Sequence, residues 1–338
     1  MGLGLLMVGS ASFVDGAKNF ADKWHYLKLQ LAWSGVGILM MLFTSRFNLK
    51  LLYKNSTLLA GLALLFLLIV LIPGIGIKVL GARRWLGLGF LGFQPAELSK
   101  LFLSIFWAAL ISKNEPKYST MFASLILAVG LIMLEPDLGS ALILTLIAVS
   151  LFWTSGGKIS KIFFIGLTGI GIVGLLIIFS PYRLSRLRTF LDVSHDPLGA
   201  SYHVRQAIIG FGSGGFLGVG LGQSLQKYIF LPEATTDSIF SVLGEEFGFV
   251  GTLATLFLFL TLVWYGLNVA ERNIDSFERN LIVCITSWIG FQFLLNTAAI
   301  TALVPLTGVP LPFISYGGSS LVVLLSAIGL VINVAKKA

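Results

Sequence analysis

The sequence predicts an all-α fold: a polytopic membrane protein with ten transmembrane helices and one large outer loop between helices 7 and 8. Three observations lead there. Apolar residues make up 56% of the 338 and charged residues only 11%, too little polar surface to cover a soluble domain. The apolar residues come in long runs, most of them sufficient to cross the roughly 30 Å hydrocarbon layer of a bilayer. Short clusters of Lys and Arg separate many of those runs, a charge pattern that reports membrane sidedness.

The runs cover 1–14, 27–44, 57–73, 96–112, 119–134, 138–155, 161–181, 238–270, 280–304 and 318–334. The first opens at Met1, with no basic stretch ahead of it and no small-residue cleavage site behind, so it reads as a first helix and not as a signal peptide. Pro95 suits the first position of the fourth helix, and Glu97 its first turn, where an acid meets the positive end of the helix dipole. Glu97 and Lys100 lie three apart and can meet on one helix face. The eighth run starts near Ser238 and stays apolar to about Ala270, interrupted only by Glu245 and Glu246. Adjacent glutamates cannot share a face, so one of them is expected to point into the bundle toward a basic partner.

An even number of spans puts both termini on one side. Segments 45–56, 113–118, 156–161, 271–279 and 335–338 each hold two or three Lys or Arg and are assigned, with both termini, to the cytoplasm. The outer side gathers its cations in two loops, at Lys78, Arg83 and Arg84, and at Arg183, Arg186, Arg188, Arg205 and Lys227. That concentration suits an anionic ligand. A chain this apolar is a poor partner for nucleic acid. The single Cys284 offers no disulfide framework, and His25, His195 and His203 lack zinc-ligand spacing.

The long outer loop runs from Tyr182 to Asp237, 56 residues, and loops of that length are usually functional or disordered. Its apolar, glycine-patterned composition argues against disorder. Tyr202 to Ile209 reads as a short amphipathic helix with Arg205 and Gln206 able to face away from lipid. Gly210 to Gly222 holds seven glycines in thirteen residues, a tightly turning segment; irregular backbone at membrane depth persists where it lines a protein cavity. It lacks the Gly-Lys-Ser/Thr of a phosphate-binding loop. In Glu135-Pro-Asp137, Asp137 is the expected helix cap. Pro305 to Gly318, with three prolines, reads as a pocket wall.

Asp237 is the leading candidate for chemistry, because acids at the rim of a bilayer are costly. It suits a general base or an anchor for a divalent cation; the alternative is a helix N-terminal acid satisfied by the macrodipole. Glu233, beside Pro232, is either a second ligand or a turn residue. Arg84 adjoins Trp85 at interface depth. Lys100 lies a turn inside its span, so it pairs with Glu97, faces a polar cavity, or does both. Cations such as Arg84, Lys100, Arg205 and Lys227 at one membrane face would suit a diphosphate.

Six ordered motifs carry a resemblance. Gly81-Ala-Arg-Arg-Trp85, Gln94-Pro-Ala-Glu-Leu-Ser-Lys100, Glu135-Pro-Asp-Leu-Gly139, Gly218 to Lys227, Leu231 to Gly251 and Thr307 to Ser320 resemble the SEDS family, which includes FtsW, RodA and SpoVE. Ala234, Gly222-Gln-Ser224 and Val309 are most similar to the FtsW branch. The resemblance spans the whole chain and implies a peptidoglycan glycosyltransferase of the bacterial cytoplasmic membrane, at the division septum or in growth. Such an enzyme polymerises lipid II beside a class B penicillin-binding protein. It matches Asp237 to the family's essential loop aspartate, and Arg84, Trp85, Lys100 and Gln206 to positions associated with activity. Two residues depart from the family: Thr235 stands where His is usual and Ser238 where Phe is usual. The chain also begins closer to its first helix than is customary.

The implied chemistry agrees with the residues. A sugar 4-hydroxyl would attack an anomeric carbon with inversion, and one base suffices because a neutralised diphosphate leaves well. Hydrolytic inverting enzymes need a second carboxylic acid; here cationic side chains, with Mg2+ or Mn2+, would take its place. Arg84, Trp85, Lys100, Arg205, Gln206, Lys227 and Glu233 form the expected substrate-binding set around Asp237. A lipid II flippase and a non-catalytic scaffold for the transpeptidase are the competing readings.

Overall fold

The computed structural model describes residues 1–79, 82–88, 91–113, 115–158, 200–228 and 231–337, with a few isolated positions between 160 and 190. The seventh predicted helix, 161–181, lies outside the described residues, as do Arg183 and Arg186. The other nine apolar runs each coincide with a helix. Four helices are long and apolar enough to cross a membrane, and four shorter apolar helices accompany them. The chain divides into two compact units.

One unit comprises 32–157, 260–291 and 317–338. Its centre is α6 (Pro95–Ile111), packed against α5 (Ser56–Leu71), α7 (Tyr118–Leu134), α8 (Leu138–Thr154) and α12 (Gly318–Ala335). Almost every residue of α6 is buried, including Trp107, Leu103 and Ile105. As the sequence predicts, Pro95 occupies the first turn of α6 and Glu97 lies in that turn. Asp137 caps α8 by accepting from the Ser140 amide at 3.0 Å and the Ser140 hydroxyl at 2.8 Å, which satisfies an otherwise orphaned N–H.

The all-α expectation needs a correction here. The loop between Pro73 and Pro95 folds as an antiparallel sheet, β1 (Ile77–Val79), β2 (Ala82–Leu88) and β3 (Leu91–Phe93), in the order β1-β2-β3. Ile77 pairs with Trp85, and Leu86 with Phe93. Alternation along β2 sends Arg83 and Trp85 to one face and Arg84 and Leu86 to the other, and Leu86 is buried. Pairing gives each strand's backbone the hydrogen bonds that a bare loop near lipid would lack.

The other unit comprises 1–31, 158–259 and 292–316. It holds α1 (Gly2–Ala11), α2 (Phe13–Phe20), α9 (Ala200–Gly214) and the first part of α10 (Ile239–Arg272). The glycine-rich stretch behaves differently from expectation. Residues 210–214 continue α9, and turning begins at Gly215, the first of several glycines with positive φ. Gly210 and Gly214 sit four apart on the face toward α10. A Cβ at 210 would lie 2.6 Å from Ser241 Oγ, and one at 214 only 2.1 Å from the Gly244 carbonyl oxygen. Small residues thus let two helices touch at backbone distance, and Ser241 Oγ donates to the Ala207 carbonyl at 2.8 Å.

Helix α10 is broken at Gly248 (φ 66°, ψ −163°), not at the glutamates. The turn after α9 plugs the break: Val219 and Gly220 amides donate to the Glu245 and Glu246 carbonyls at 2.9 and 3.1 Å, and the Phe249 amide donates to Gly215 at 2.9 Å. Backbone groups freed by the break are therefore satisfied within the protein, the condition for irregular chain at membrane depth.

Candidate functional site

Asp237 stands at the end of a tight turn, 231–238, just ahead of α10. Glu233 makes that turn. Its φ is +50°, its carbonyl accepts from the Thr236 and Ser238 amides at 3.1 and 3.2 Å, and its exposed carboxylate accepts the Thr236 hydroxyl at 2.9 Å. Of its two expected roles, the structure places it in the turn. Asp15, on α2, lies close enough to feel it: burial first, then the Glu233 charge, raises the Asp15 carboxyl above its usual range.

Three consecutive carbonyls of the turn are then held from outside it. Thr235 O accepts from the Tyr316 amide at 2.8 Å, Thr236 O from Ser315 Oγ at 2.5 Å, and Asp237 O from Asn296 Nδ2 at 2.8 Å. The holding groups are themselves fixed. Asn296 Nδ2 also donates to the Val309 carbonyl at 2.7 Å, Gln292 Nε2 to Pro310 at 3.0 Å, and Gln30 Nε2 to Ser315 at 3.3 Å. The proline-rich loop is a wall, as its composition predicts.

The half-exposed Asp237 opens on a small cleft lined by His203, Asn296, Ala299, Ile300 and residues 306–309. Gly308 has φ +71°, and a Cβ there would meet Asp237 Oδ2 at 3.4 Å. Thr307 Oγ1 and Asn296 Oδ1 are buried without a hydrogen-bond partner among the described residues. His203 comes from α9, where it shares a face with Ala207, Gly210 and Gly214; its Nε2 bonds Ser238 Oγ, which donates to the Pro232 carbonyl at 3.0 Å. In the sequence His203 is marked only by its lack of zinc-ligand spacing to the other histidines. The 203–207–210–214 stripe was the available signal that it faces α10.

The remaining expected site residues fall into two groups. In this same unit, Arg205 is exposed and Gln206 half-buried on α9. Lys227 is buried; its Nζ lies 2.8 Å from Glu246 Oε1 and donates to Ser10 Oγ at 2.9 Å. Glu246 thus has the basic partner expected for one of the two glutamates. Glu245 instead accepts from Ser224 Oγ and from the Leu225 and Gln226 amides.

The second group belongs to the other unit. Arg84 Nε and Nη2 donate to the carbonyls of Glu135 and Pro136 at 2.9 and 2.5 Å, so the arginine ties β2 to the turn ahead of α8. Trp85 is half-buried. Lys100 is fully buried and pairs with Glu97 Oε1 at 2.7 Å, 5.1 Å from the Trp288 ring, while Glu97 Oε2 accepts the Ser320 hydroxyl at 3.2 Å. Glu135 is also fully buried, and neither carboxyl oxygen has a partner among the described residues. Burial, with the Asp137 charge adding and Arg84 opposing, pushes its carboxyl up to about 9.

Long apolar helices and a cleft whose carboxylate is fixed through its backbone define a helical membrane protein with an acid-bearing polar site. Comparison with known proteins narrows this. The FtsW/RodA/SpoVE family, described as cell cycle proteins, matches residues 1–338, and the chain belongs to that family. It is 37% identical to the stage V sporulation protein E of Bacillus subtilis, over 99% of this chain and 93% of that one. It is 38% identical to a probable peptidoglycan glycosyltransferase FtsW of Trichlorobacter lovleyi, over 98% and 89%. Among solved structures it resembles a chain of a peptidoglycan synthase complex that coordinates polymerization and crosslinking (TM-score 0.79, 28% identity, 99% and 97% covered). It also resembles the rod shape determining protein RodA of Thermus thermophilus (TM-score 0.71, 28% identity, 99% and 96% covered).

Proposed function

We propose that this chain is a peptidoglycan glycosyltransferase that polymerises lipid II at the outer face of the bacterial cytoplasmic membrane. The observation that carries this reading is the Asp237 cleft: a carboxylate whose backbone is clamped at three successive carbonyls, in a member of this family. As the base, Asp237 takes the proton of an acceptor sugar hydroxyl while that oxygen bonds to the anomeric carbon of the donor. The bond from that carbon to the diphosphate breaks with inversion, and the undecaprenyl diphosphate leaves with the electron pair.

Arg205 and Gln206, in the same unit as Asp237, are the side chains we assign to the substrate head. Lys227 and Glu233 support that unit through the internal bonds described above, as Lys100 does in the other. Among the described residues no three acidic, His or Cys side chains gather closely enough to cage a metal. A single carboxylate plus diphosphate oxygens is nonetheless a ligand set that Mg2+ accepts, and Asp237 would be the protein's donor. Bound there, Mg2+ or Mn2+ would neutralise charge on the leaving diphosphate. Ten spans, cytoplasmic termini and a class B penicillin-binding protein partner complete the reading.

Purified protein, with and without the candidate transpeptidase, should convert labelled lipid II into glycan strands in detergent, where a flippase would do nothing. Asp237→Asn should abolish the product and keep the melting temperature. Full activity in that variant would remove Asp237 from the mechanism.

A further inference from the structure

The turn that carries Asp237 is gripped on one side by Asn296, Ser315 and Tyr316, through its carbonyls. A second grip reaches it from α9. Ser238, next to Asp237 and immediately ahead of α10, is fully buried. A serine in that place ordinarily uses its oxygen to accept an amide of the first helical turn. Here the hydroxyl bonds Pro232 and His203 instead. A carbonyl can only accept, so the single hydroxyl proton goes to Pro232, at 3.0 Å. What faces His203 is therefore a lone pair, and Nε2 carries the hydrogen that meets it.

The bond from Ser238 to Pro232 closes the neck of the turn, beside the Thr236 and Ser238 amides that donate to the Glu233 carbonyl at 3.1 and 3.2 Å. The bond from His203 moors that neck to α9, whose approach to α10 is set at backbone distance by Gly210 and Gly214. His203 is only half-buried and lines the cleft together with Asp237. Phenylalanine, the residue usual in the family at 238, has no hydroxyl and could make neither bond. The bridge therefore comes with this chain's departure at that position.

We infer that His203 is a positioning residue for Asp237, acting through the Ser238 hydroxyl to hold the turn on the α9 side. Its effect on rate rests on the polymerase reading; the clamp itself does not. A carboxylate that must meet a sugar hydroxyl at bonding distance is sensitive to displacement, since about an ångström can cost about a hundredfold in rate.

His203→Leu keeps most of the bulk and removes the donor, whereas His203→Gln keeps an N–H at a similar reach. In the lipid II assay His203→Leu should lower kcat by about ten- to a hundredfold, with KM within about twofold. His203→Gln should recover most of that loss. Ser238→Ala should match His203→Leu, and the double variant should be no worse than either single change, because both act through one bond. Hydrogen exchange of the 231–238 amides gives a readout that needs no activity, and His203→Leu and Ser238→Ala should each speed it by about three- to tenfold. Wild-type kcat in His203→Leu, a His203→Gln protein no better than His203→Leu, or unchanged exchange in 231–238 overturns the assignment. Should His203→Leu fail to fold, Ser238→Ala, which removes a single oxygen atom, decides by the same readouts. A wild-type protein that makes no glycan while the exchange differences hold counts against the polymerase reading and leaves the clamp standing.

Discussion

Glu135 predicts an unusual pH dependence of stability. Its carboxyl is fully buried just beyond the end of α7 and shifted from an ordinary 4.5 to about 9, so in the folded protein it is neutral across the physiological range. In the unfolded chain it ionises above about 4.5. Between those values the unfolded state holds fewer protons than the folded one, and stability falls as pH rises. The contribution is fully present below the unfolded value and is lost progressively up to the folded one. Each pH unit inside that window removes about 1.4 kcal/mol. From pH 6 to pH 8 the loss is about 2.7 kcal/mol, enough to move a thermal transition by several degrees. Glu135→Gln keeps the size and polarity of the side chain and removes the titration. Melting of purified protein in detergent at several pH values should show the variant gaining on wild type as pH rises, with the two meeting near pH 5. Parallel profiles for the two proteins would mean that Glu135 is ionised and compensated in the fold, and the reasoning would fail.

Two further outcomes follow from the packing. Lys227→Met should destabilise the protein by roughly 3–5 kcal/mol by stranding the buried Glu246 charge, and the double variant Lys227→Met/Glu246→Leu should recover most of it; a melt of the three proteins decides. Gly308→Ala places a side chain at φ +71°, a strain of roughly 1–2 kcal/mol, next to the Asp237 carboxylate. It should lower the melting temperature and slow polymerisation, with Gly308→Asn milder on both because Asn tolerates the left-handed region.

The helical framework was legible because apolar length alone marks it: nine of the predicted runs each coincide to within a few residues with one of the described helices. The β ribbon was not, since β1 and β3 are three residues each and are strands only by pairing with β2. The break in α10 was hidden for a similar reason. Gly248 sits in an apolar run, and what opens the helix there is the docked turn 215–220, a tertiary cause with no local signature. Glu245 and Glu246 advertised a buried partner, but nothing in the spacing selected Lys227 for one and the Ser224–Gln226 backbone for the other. At the site, Asp237 stood out by chemistry and the proline-rich wall by composition. His203, Asn296 and Thr307 did not, because neutral polar residues in apolar helices and loops gain meaning only from what they face.

The clamped turn also fixes the place of the carboxylate. The main chain of residues 235–237 is gripped through its carbonyls by Tyr316, Ser315 and Asn296. Position is therefore fixed through the backbone. A carboxylate held in this way loses little freedom when a ligand arrives, which is where prepositioned groups gain most of their advantage. Part of that grip comes from the wall that also lines the cleft, since Asn296 holds both the Asp237 and Val309 carbonyls. Displacing the wall should displace the carboxylate with it, so substitutions near Val309 should lower activity in the polymerisation assay even where they touch no substrate.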